Sequence, residues 1–370
     1  MNIAIVTNML APYRIPLFRA LAARPEVSRL TVLVCVDKER DRDWTVTSEP
    51  GFEVVRCWGL SLQRTIGGDR LRVVHLRFGV MQWLATQRPD HVLIGDASWT
   101  SYLATLACRV LGIPYSVWSE ITPVSRVSDG LAGRLRRWMY GGAHRCVAAS
   151  GEAARFLAGQ GVPELRVRRA INAVDVTQLQ TAAARWWPER HAVRSSLGIP
   201  PDAFVFLYVG QFIARKRVKE TVALLEQAAA KRPVHLILAG SGPLEHALRE
   251  QTVACQHLTT SFVGFVEGDA LWRLYAAAHA LILLSDDEPW GMVISEALAC
   301  GLPFFSVATV AAAVEFHTFG MVCNGLADAA SALEAFLESN PLAQSMDMRP
   351  SCAVSATPDS WAREVLEALA

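Results

Sequence analysis

The stretch FVFLYVGQFIARKRVKETVALLEQAAAKRPVHLILAGSGP, residues 204–243, decides the fold class. Two apolar runs rich in β-branched and aromatic residues, 204–210 and 234–240, flank a helical pattern, and each run ends in glycine. Strand, helix and strand in succession are the signature of a βα unit and a parallel sheet. The series carries on at SFVGF (261–265), ALILLS (280–285) and LPFFSV (302–307). Another series precedes it: NIAIV (2–6), LTVLVCV (30–36), EVVRCW (53–58), HVLIG (91–95), YSVWS (115–119) and RCVAAS (145–150). The chain therefore reads as α/β, with two Rossmann-like halves. Sheets of this kind bind ligands beyond the carboxyl ends of their strands, so the loops that follow each run are where chemistry is expected.

At 370 residues the chain exceeds one ordinary core, and roughly 150 residues per domain gives two. The pattern places an N-terminal domain at 1–170, a polar, proline-containing linker at 171–199, a second domain at 200–350 and an amphipathic helix within 351–370. No run reaches the ~20 apolar residues a bilayer span needs; Trp99 to Trp118 is interrupted by Arg109 and Pro114. The opening MNIAIVTNML has neither the basic start nor the cleavage site of a signal peptide, so a cytoplasmic location is expected. Eight cysteines without a C-x-x-C pair suit buried positions rather than disulfides or structural zinc. Net charge is +1, yet residues 1–170 hold 23 basic against 14 acidic side chains, and the remainder 13 against 21. A basic half suits an anionic partner such as a membrane surface, although solvated charge accounts for most such asymmetry. Nucleic acid is not an expected partner.

Three segments carry candidate chemistry. In SDDEPWGMVISEALACGLP (285–303) a strand ends, a turn follows, and a helix runs from about 291 to 300, closed by Gly301. Glu288 precedes that helix and Glu296 lies two turns along it, two carboxylates of the kind that accept hydrogen bonds from sugar hydroxyls. The plainer alternative makes Glu288 a complement to the helix dipole and Glu296 a solvated charge. In VGQFIARKRVK (209–219) four cations stand at the start of a helix, which opposes its dipole unless an anion such as a diphosphate binds there. Lys216 is one of only four lysines among 36 basic residues. In LAGSGP (238–243) glycines let the backbone approach a ligand closely, although tight turns use them for steric reasons too.

In this order, with seven residues between the glutamates, the segments resemble the retaining glycosyltransferases of family 4, which have the GT-B fold; the likeness covers most of 160–305. Asn172-Ala-Val-Asp175 resembles the family's interdomain motif, and Val263-Gly-Phe-Val266 its nucleobase-contacting turn. The resemblance implies two parallel-sheet domains facing across a cleft and a C-terminal helix crossing back to the first. It implies a nucleotide-diphosphate sugar as donor, with Glu296 on the ribose, Glu288 on the transferred sugar, and Lys216 with Arg215 on the diphosphate. Gly210, Gln211, Gly242, Phe265 and Val266 complete the implied donor surface. No cofactor is implied and no metal; Asp286 and Asp287 are adjacent rather than spaced as Asp-x-Asp.

The resemblance has gaps. Gln211 stands where the family often has Arg, and Asn8 to Arg14 replaces a glycine-rich loop. Trp118-Ser-Glu120 replaces a His-containing turn, and Thr309 to Ala313 replaces a glycine pair facing the sugar. Tyr13, Arg14 and Glu120 are the acceptor-side candidates. The expected reaction is transfer with retention to a glycan or lipid-linked acceptor, in surface polysaccharide or lipopolysaccharide assembly. GRLRRWMY (133–140), a basic helix carrying aromatic residues, suits either docking on anionic lipid at the inner face of a membrane or a half-buried surface position. Two alternatives stay open, a non-catalytic nucleotide-sugar-binding subunit and a GT-B enzyme that hydrolyses or epimerises its substrate. A dinucleotide oxidoreductase is disfavoured, since no G-x-G-x-x-G follows the first strand.

Overall fold

Most runs of apolar residues become strands buried on both faces, as central parallel strands covered by helices must be; Glu53–Arg56 and Thr259–Gly264 are more exposed. The computed structural model describes residues 1–36, 51–66, 70–95, 98–339 and 356–370, with the backbone alone at 63–66 and 70–73. These residues divide into two units, Met1–Ala173 with Ala356–Ala370, and Val174–Ser355. The expected boundary at 350, the first residues of the C-terminal segment and Cys352 lie outside the described residues.

In the first unit the strands are β1 (Asn2–Thr7), β2 (Arg29–Val34), β3 (Glu53–Arg56), β4 (Leu60–Ile66), β5 (Arg70–Leu76), β6 (His91–Gly95), β7 (Tyr115–Ser119), β8 (Cys146–Ala148) and β9 (Val167–Arg169). Among the described residues, seven form one parallel sheet in the order β3-β2-β1-β6-β7-β8-β9, while β4 and β5 pair antiparallel as a separate hairpin. The second unit has β10 (Phe204–Val209), β11 (Val234–Ala239), β12 (Thr259–Gly264), β13 (Ala280–Leu283), β14 (Phe304–Val307) and β15 (Gly320–Cys323). These form a parallel sheet ordered β12-β11-β10-β13-β14-β15. Both sheets run outward from their first strand and then reverse, which puts a topological switch point between β1 and β6 and another between β10 and β13. All eleven expected runs hold strands; β4, β5, β9 and β15 fall outside them.

Local signals set the helix ends. Ser98 and Ser150 accept backbone N–H bonds at the starts of Trp99–Leu111 and Gly151–Gly159, and Gly112 closes the first of these in a left-handed conformation. Thr357 and Ser360 form a reciprocal capping box on the last helix, Pro358–Leu369. That helix packs in the first unit: Trp361 is fully buried, 5.3 Å from Trp118 and 5.9 Å from Phe18 between ring centres, and Ser116 donates to the Ala368 carbonyl. Residues 174–199 fold into two helices of the second unit, Val176–Trp186 and Arg190–Ser196. The basic helix extends over Leu131–Gly141, and its arginines are not all solvated. Arg136 is buried beneath the Phe156 ring, and Met139 and Tyr140 belong to the core, so its aromatic content does not make an outward apolar face. No helix among the described residues is long and apolar enough to cross a membrane.

Each unit buries one neutral histidine in its sheet. His91 meets Ser116 Oγ at 3.0 Å, and His235 meets Thr259 and Ser261 hydroxyls at 2.8 and 3.0 Å. Burial lowers both from the ordinary 6.5 to about 4, with His144 adding to the effect at His91. The unfolded chain therefore takes up protons near 6.5 that the folded chain refuses until about 4. Stability is complete above that window and falls as pH drops through it, on the order of 3 kcal/mol per histidine by pH 4. Urea unfolding of the second unit should weaken between pH 7 and 4.5, and His235→Gln should flatten that dependence; identical pH profiles for the two proteins would disprove the assignment.

Candidate functional site

The second unit's switch point joins a cationic loop to an acidic one. After β10 the chain passes Gly210, makes a short turn over Ala214–Lys216 and enters the helix Val218–Ala229. After neighbouring β13 it runs through Asp286, Asp287 and Glu288 to the helix Met292–Ala299. The Lys216 ammonium donates to Glu288, and Arg217 pairs with Asp286. Arg215 donates to the Asp287 carbonyl at 3.0 Å and lies 3.7 Å from Glu288, while the Asp286 amide donates to the Arg215 carbonyl at 2.8 Å. Lys216 and Glu288 keep only 12% and 14% of their side chains exposed, so this is an ion pair largely withdrawn from water. Arg215, Lys216 and Glu288, the residues expected at the diphosphate and the transferred sugar, thus meet at one place.

The expected donor residues line the same edge. The loop after β11 is pressed onto the loop after β10. A Cβ on Gly240 would stand 1.9 Å from the Gly210 carbonyl oxygen, and one on Gly242 within 2.7 Å of the Phe212 backbone. Phe212 N–H donates to the Ser241 carbonyl at 2.8 Å, and Gly240 N–H to the Gly264 carbonyl at 2.8 Å. Gly210, Gln211, Gly242, Phe265 and Val266 accordingly sit beyond the ends of three adjacent strands, with the Phe265 ring 44% exposed. Tyr208 closes the floor: its buried hydroxyl donates to the Gln211 carbonyl, and burial together with Glu288 pushes its pKa up.

Glu296 is half-buried on the helix Met292–Ala299 rather than a solvated charge. The buried Tyr275 hydroxyl donates to it at 2.7 Å; burial raises the carboxyl's pKa and that hydrogen bond opposes the rise. Tyr275 was not legible in advance, because a tyrosine in the apolar pattern of Asp269–Ala277 reads as core. The segment replacing the glycine pair is bound to the acidic loop: Glu288 bridges Val310, and Thr309 donates to the Ser285 carbonyl at 2.6 Å. Among the described residues no three of His, Cys, Asp and Glu converge on a metal-sized point.

In the first unit, Arg14 and Glu120 come together from the ends of β1 and β7, joined at 3.0 Å. Arg14 also donates to Thr7 at 2.8 Å and stacks 4.8 Å over Trp118, and Glu120 accepts from Asn172 at 2.9 Å. Tyr13 is half-buried beside this group, 5.8 Å from the Arg14 guanidinium. Asn172 is the residue sequence reading left out of the site, although it opens the quoted Asn172 to Asp175 motif. Asp175, in the other unit, caps the helix Val176–Trp186 through the Gln178 amide at 2.9 Å.

Residues 189–348 match the model of the family described as glycosyl transferases group 1. An uncharacterized glycosyltransferase of Methanocaldococcus jannaschii is 29% identical over 143 residues, 38% of this chain and 36% of the relative, so the match spans about a third of that relative. A glycogen synthase of Mycobacterium tuberculosis is 28% identical over 318 residues, 81% of this chain and 68% of the relative. An Anabaena protein crystallised with UDP and glucose superposes with a TM-score of 0.71 at 16% identity, over 100% of this chain and 99% of that one.

Arg217 departs from local backbone preference. Its φ is +50°, a left-handed conformation, at the start of Val218–Ala229. A side chain there costs about 1 kcal/mol that glycine avoids, and the half-exposed pair with Asp286 returns only part of it. Arg217→Gly should therefore be more stable than Arg217→Ala by about 1 kcal/mol in urea unfolding. Equal stability of the two variants would show that the backbone is not strained at this position.

Proposed function

We propose, from the match of residues 189–348 to the glycosyl transferases group 1 model in a chain of GT-B fold, that the protein transfers a sugar from a nucleotide-diphosphate donor to a glycan or lipid-linked acceptor, with retention and without a metal. The observation that carries this reading is the convergence of Arg215, Lys216 and Glu288 beside a glycine-lined edge, with Glu296, eight residues beyond Glu288, held by a buried tyrosine.

In the proposed reaction the diphosphate lies against Arg215 and Lys216, sharing the ammonium with Glu288. The acceptor oxygen bonds to the anomeric carbon as the bond from that carbon to the phosphate oxygen breaks. The acceptor's proton passes to the departing phosphate, on the same face. The two cations meet charge that grows on the diphosphate, which favours the transition state over the ground state. Glu288 orients the sugar, Glu296 accepts from the ribose, and the exposed Phe265 ring stands where a base can stack. Arg14 and Glu120 offer a paired donor and acceptor to acceptor hydroxyls. Assembly of surface polysaccharide or lipopolysaccharide fits this chemistry.

Thermal melting with UDP-, GDP-, ADP- and TDP-sugars tests the donor site. A ligand at 100 times its Kd adds about 2.7 kcal/mol, so one nucleotide should raise Tm, and Glu296→Ala should abolish the rise. In turnover, Lys216→Ala should lose about 10²-fold or more with the anomeric configuration of the product retained by NMR. A flat response to all four nucleotides, or unaltered turnover in Lys216→Ala, would defeat the proposal.

A further inference from the structure

The segment from Thr181 to Trp187 runs out of the helix Val176–Trp186, and nothing in the donor reading uses it. Beside that helix lies Asp269–Ala277, and the two line a pocket of about 520 Å³ within the second unit. Ligand sites run from roughly 300 to 1,000 Å³, so the space is large enough for more than water. On the first helix Gln178, Thr181, Ala182 and Arg185 recur at steps of three and four residues and share one face. Asp269 and Trp272 do the same on the second. From Gln178 to Arg185 the helix rises about 10 Å, which suits an extended ligand of more than one ring.

The polar rim is already ordered. Trp186 Nε1 donates to Asp269 Oδ1 at 2.8 Å, and Arg185 lies 3.4 Å from the same oxygen. The Arg185 guanidinium stands 5.2 Å from the centre of the Trp186 ring. Asp175 Oδ1 accepts from the backbone N–H of Gln178 at 2.9 Å. Among the described residues neither acid has a partner for its Oδ2, so each keeps an oxygen able to accept. Gln178 and Arg185 are exposed donors. Trp272 is half-buried and gives the pocket an aromatic wall, while the buried Ala182 ends at a methyl and leaves room beside it.

We propose that this pocket binds a neutral oligosaccharide. A sugar ring carries hydroxyls around its rim, each both donor and acceptor, and C–H groups on its faces. Asp175 and Asp269 accept from hydroxyls in charge-assisted bonds, Gln178 and Arg185 donate to them, and the flat Trp272 ring covers an apolar face. Charge selects among ligands. Two carboxylates against one guanidinium disfavour a phosphate or an acidic glycan, and among the described residues no three of His, Cys, Asp and Glu converge to hold a metal ion. Because Trp186 and Arg185 are tied to Asp269 before any ligand arrives, less side-chain freedom is lost on binding. The pocket shares no residue with the edge that carries Lys216 and Glu288, so the glycan held there is a second one or a remote part of a longer chain. The inference depends on the pocket alone and not on the donor reading.

The test is titration calorimetry of the full chain with no nucleotide present, using maltohexaose, mannohexaose and chitohexaose as neutral probes and hexagalacturonate as the acidic one. A neutral probe should bind at millimolar concentration, and hexagalacturonate more weakly. Trp272→Ala should weaken the neutral probe about tenfold or more, and Trp272→Tyr should restore most of that loss. Asp269→Asn, which can still accept from Trp186, should weaken it as well. Thr181→Arg fills the pocket from an exposed helix position and serves if Trp272→Ala melts early. The proposal fails if no neutral probe binds or if hexagalacturonate binds as well as the neutral probes. It fails also if Thr181→Arg or a stably folded Trp272→Ala binds like the parent, which would place the glycan elsewhere, as at Arg14 and Glu120. With no donor in the cell, failure of the sugar-transfer reading would leave this binding intact.

Discussion

The loop edge beyond β10 and β13 in the second unit depends on the ion pair between Lys216 and Glu288. Two charges taken mostly out of water are tolerable only when paired and hydrogen-bonded, and removing either one strands the other. Because β10 and β13 are neighbours at the reversal of strand order, the loops that carry these residues start side by side. The pair then holds them in step, with Arg215 reaching the Asp287 carbonyl and the Asp286 amide returning to the Arg215 carbonyl. Neither loop has a geometry independent of the other, which is how two short segments of chain make a surface stiff enough to meet charge without rearranging.

That coupling explains where the chain tolerates poor local chemistry. Cations at the start of a helix oppose its dipole, and Arg217 occupies backbone space that favours glycine. Both choices are unfavourable alone, and both are held by the acidic loop opposite. Local rules broken together at one point, with compensation supplied across the switch point, are the pattern expected at a binding site rather than in a scaffold. Glu296 follows the same logic at a different depth, since burial disfavours its charge and the Tyr275 hydroxyl restores part of it.

Most of the fold was legible because strands buried on both faces must be apolar along their whole length, and nine of the eleven expected runs are such strands, with β3 and β12 the more exposed exceptions. The strands that were not legible break that rule. β9 has two exposed arginines in three residues, β15 opens on glycine, and β4 and β5 mix polar and apolar residues with neither a sustained apolar run nor a sustained alternation. In this hairpin Leu60 and Leu62 are exposed while His75 is buried, so burial there does not follow hydropathy. Within the site, the loops that carry Lys216, Glu288 and Gly242 could be read from residue types after strand ends. The partners could not be: Tyr275 and Asn172 act through contacts 21 and 52 residues away in the chain, and no periodicity encodes such pairs.

The two sheets share one topology yet offer opposite chemistry at their switch points. In the second unit the loop after the first strand opens on Gly210, and backbone approaches backbone so closely at Gly240 and Gly242 that any side chain would collide. That leaves N–H groups and cations at the edge, the combination that suits a diphosphate. In the first unit the equivalent loop has no glycine between Asn8 and Arg14, and Pro12 starts a turn that carries Arg14 into a buried bond with Thr7. Its guanidinium is then shared with Glu120, whose carboxylate also holds Asn172. A phosphate there would have to displace a carboxylate already paired, whereas neutral hydroxyls can join the network as both donors and acceptors. Topology brings loops together at the strand ends in both units, and their residues make the chemistry of one edge suit an anion and that of the other a polyol.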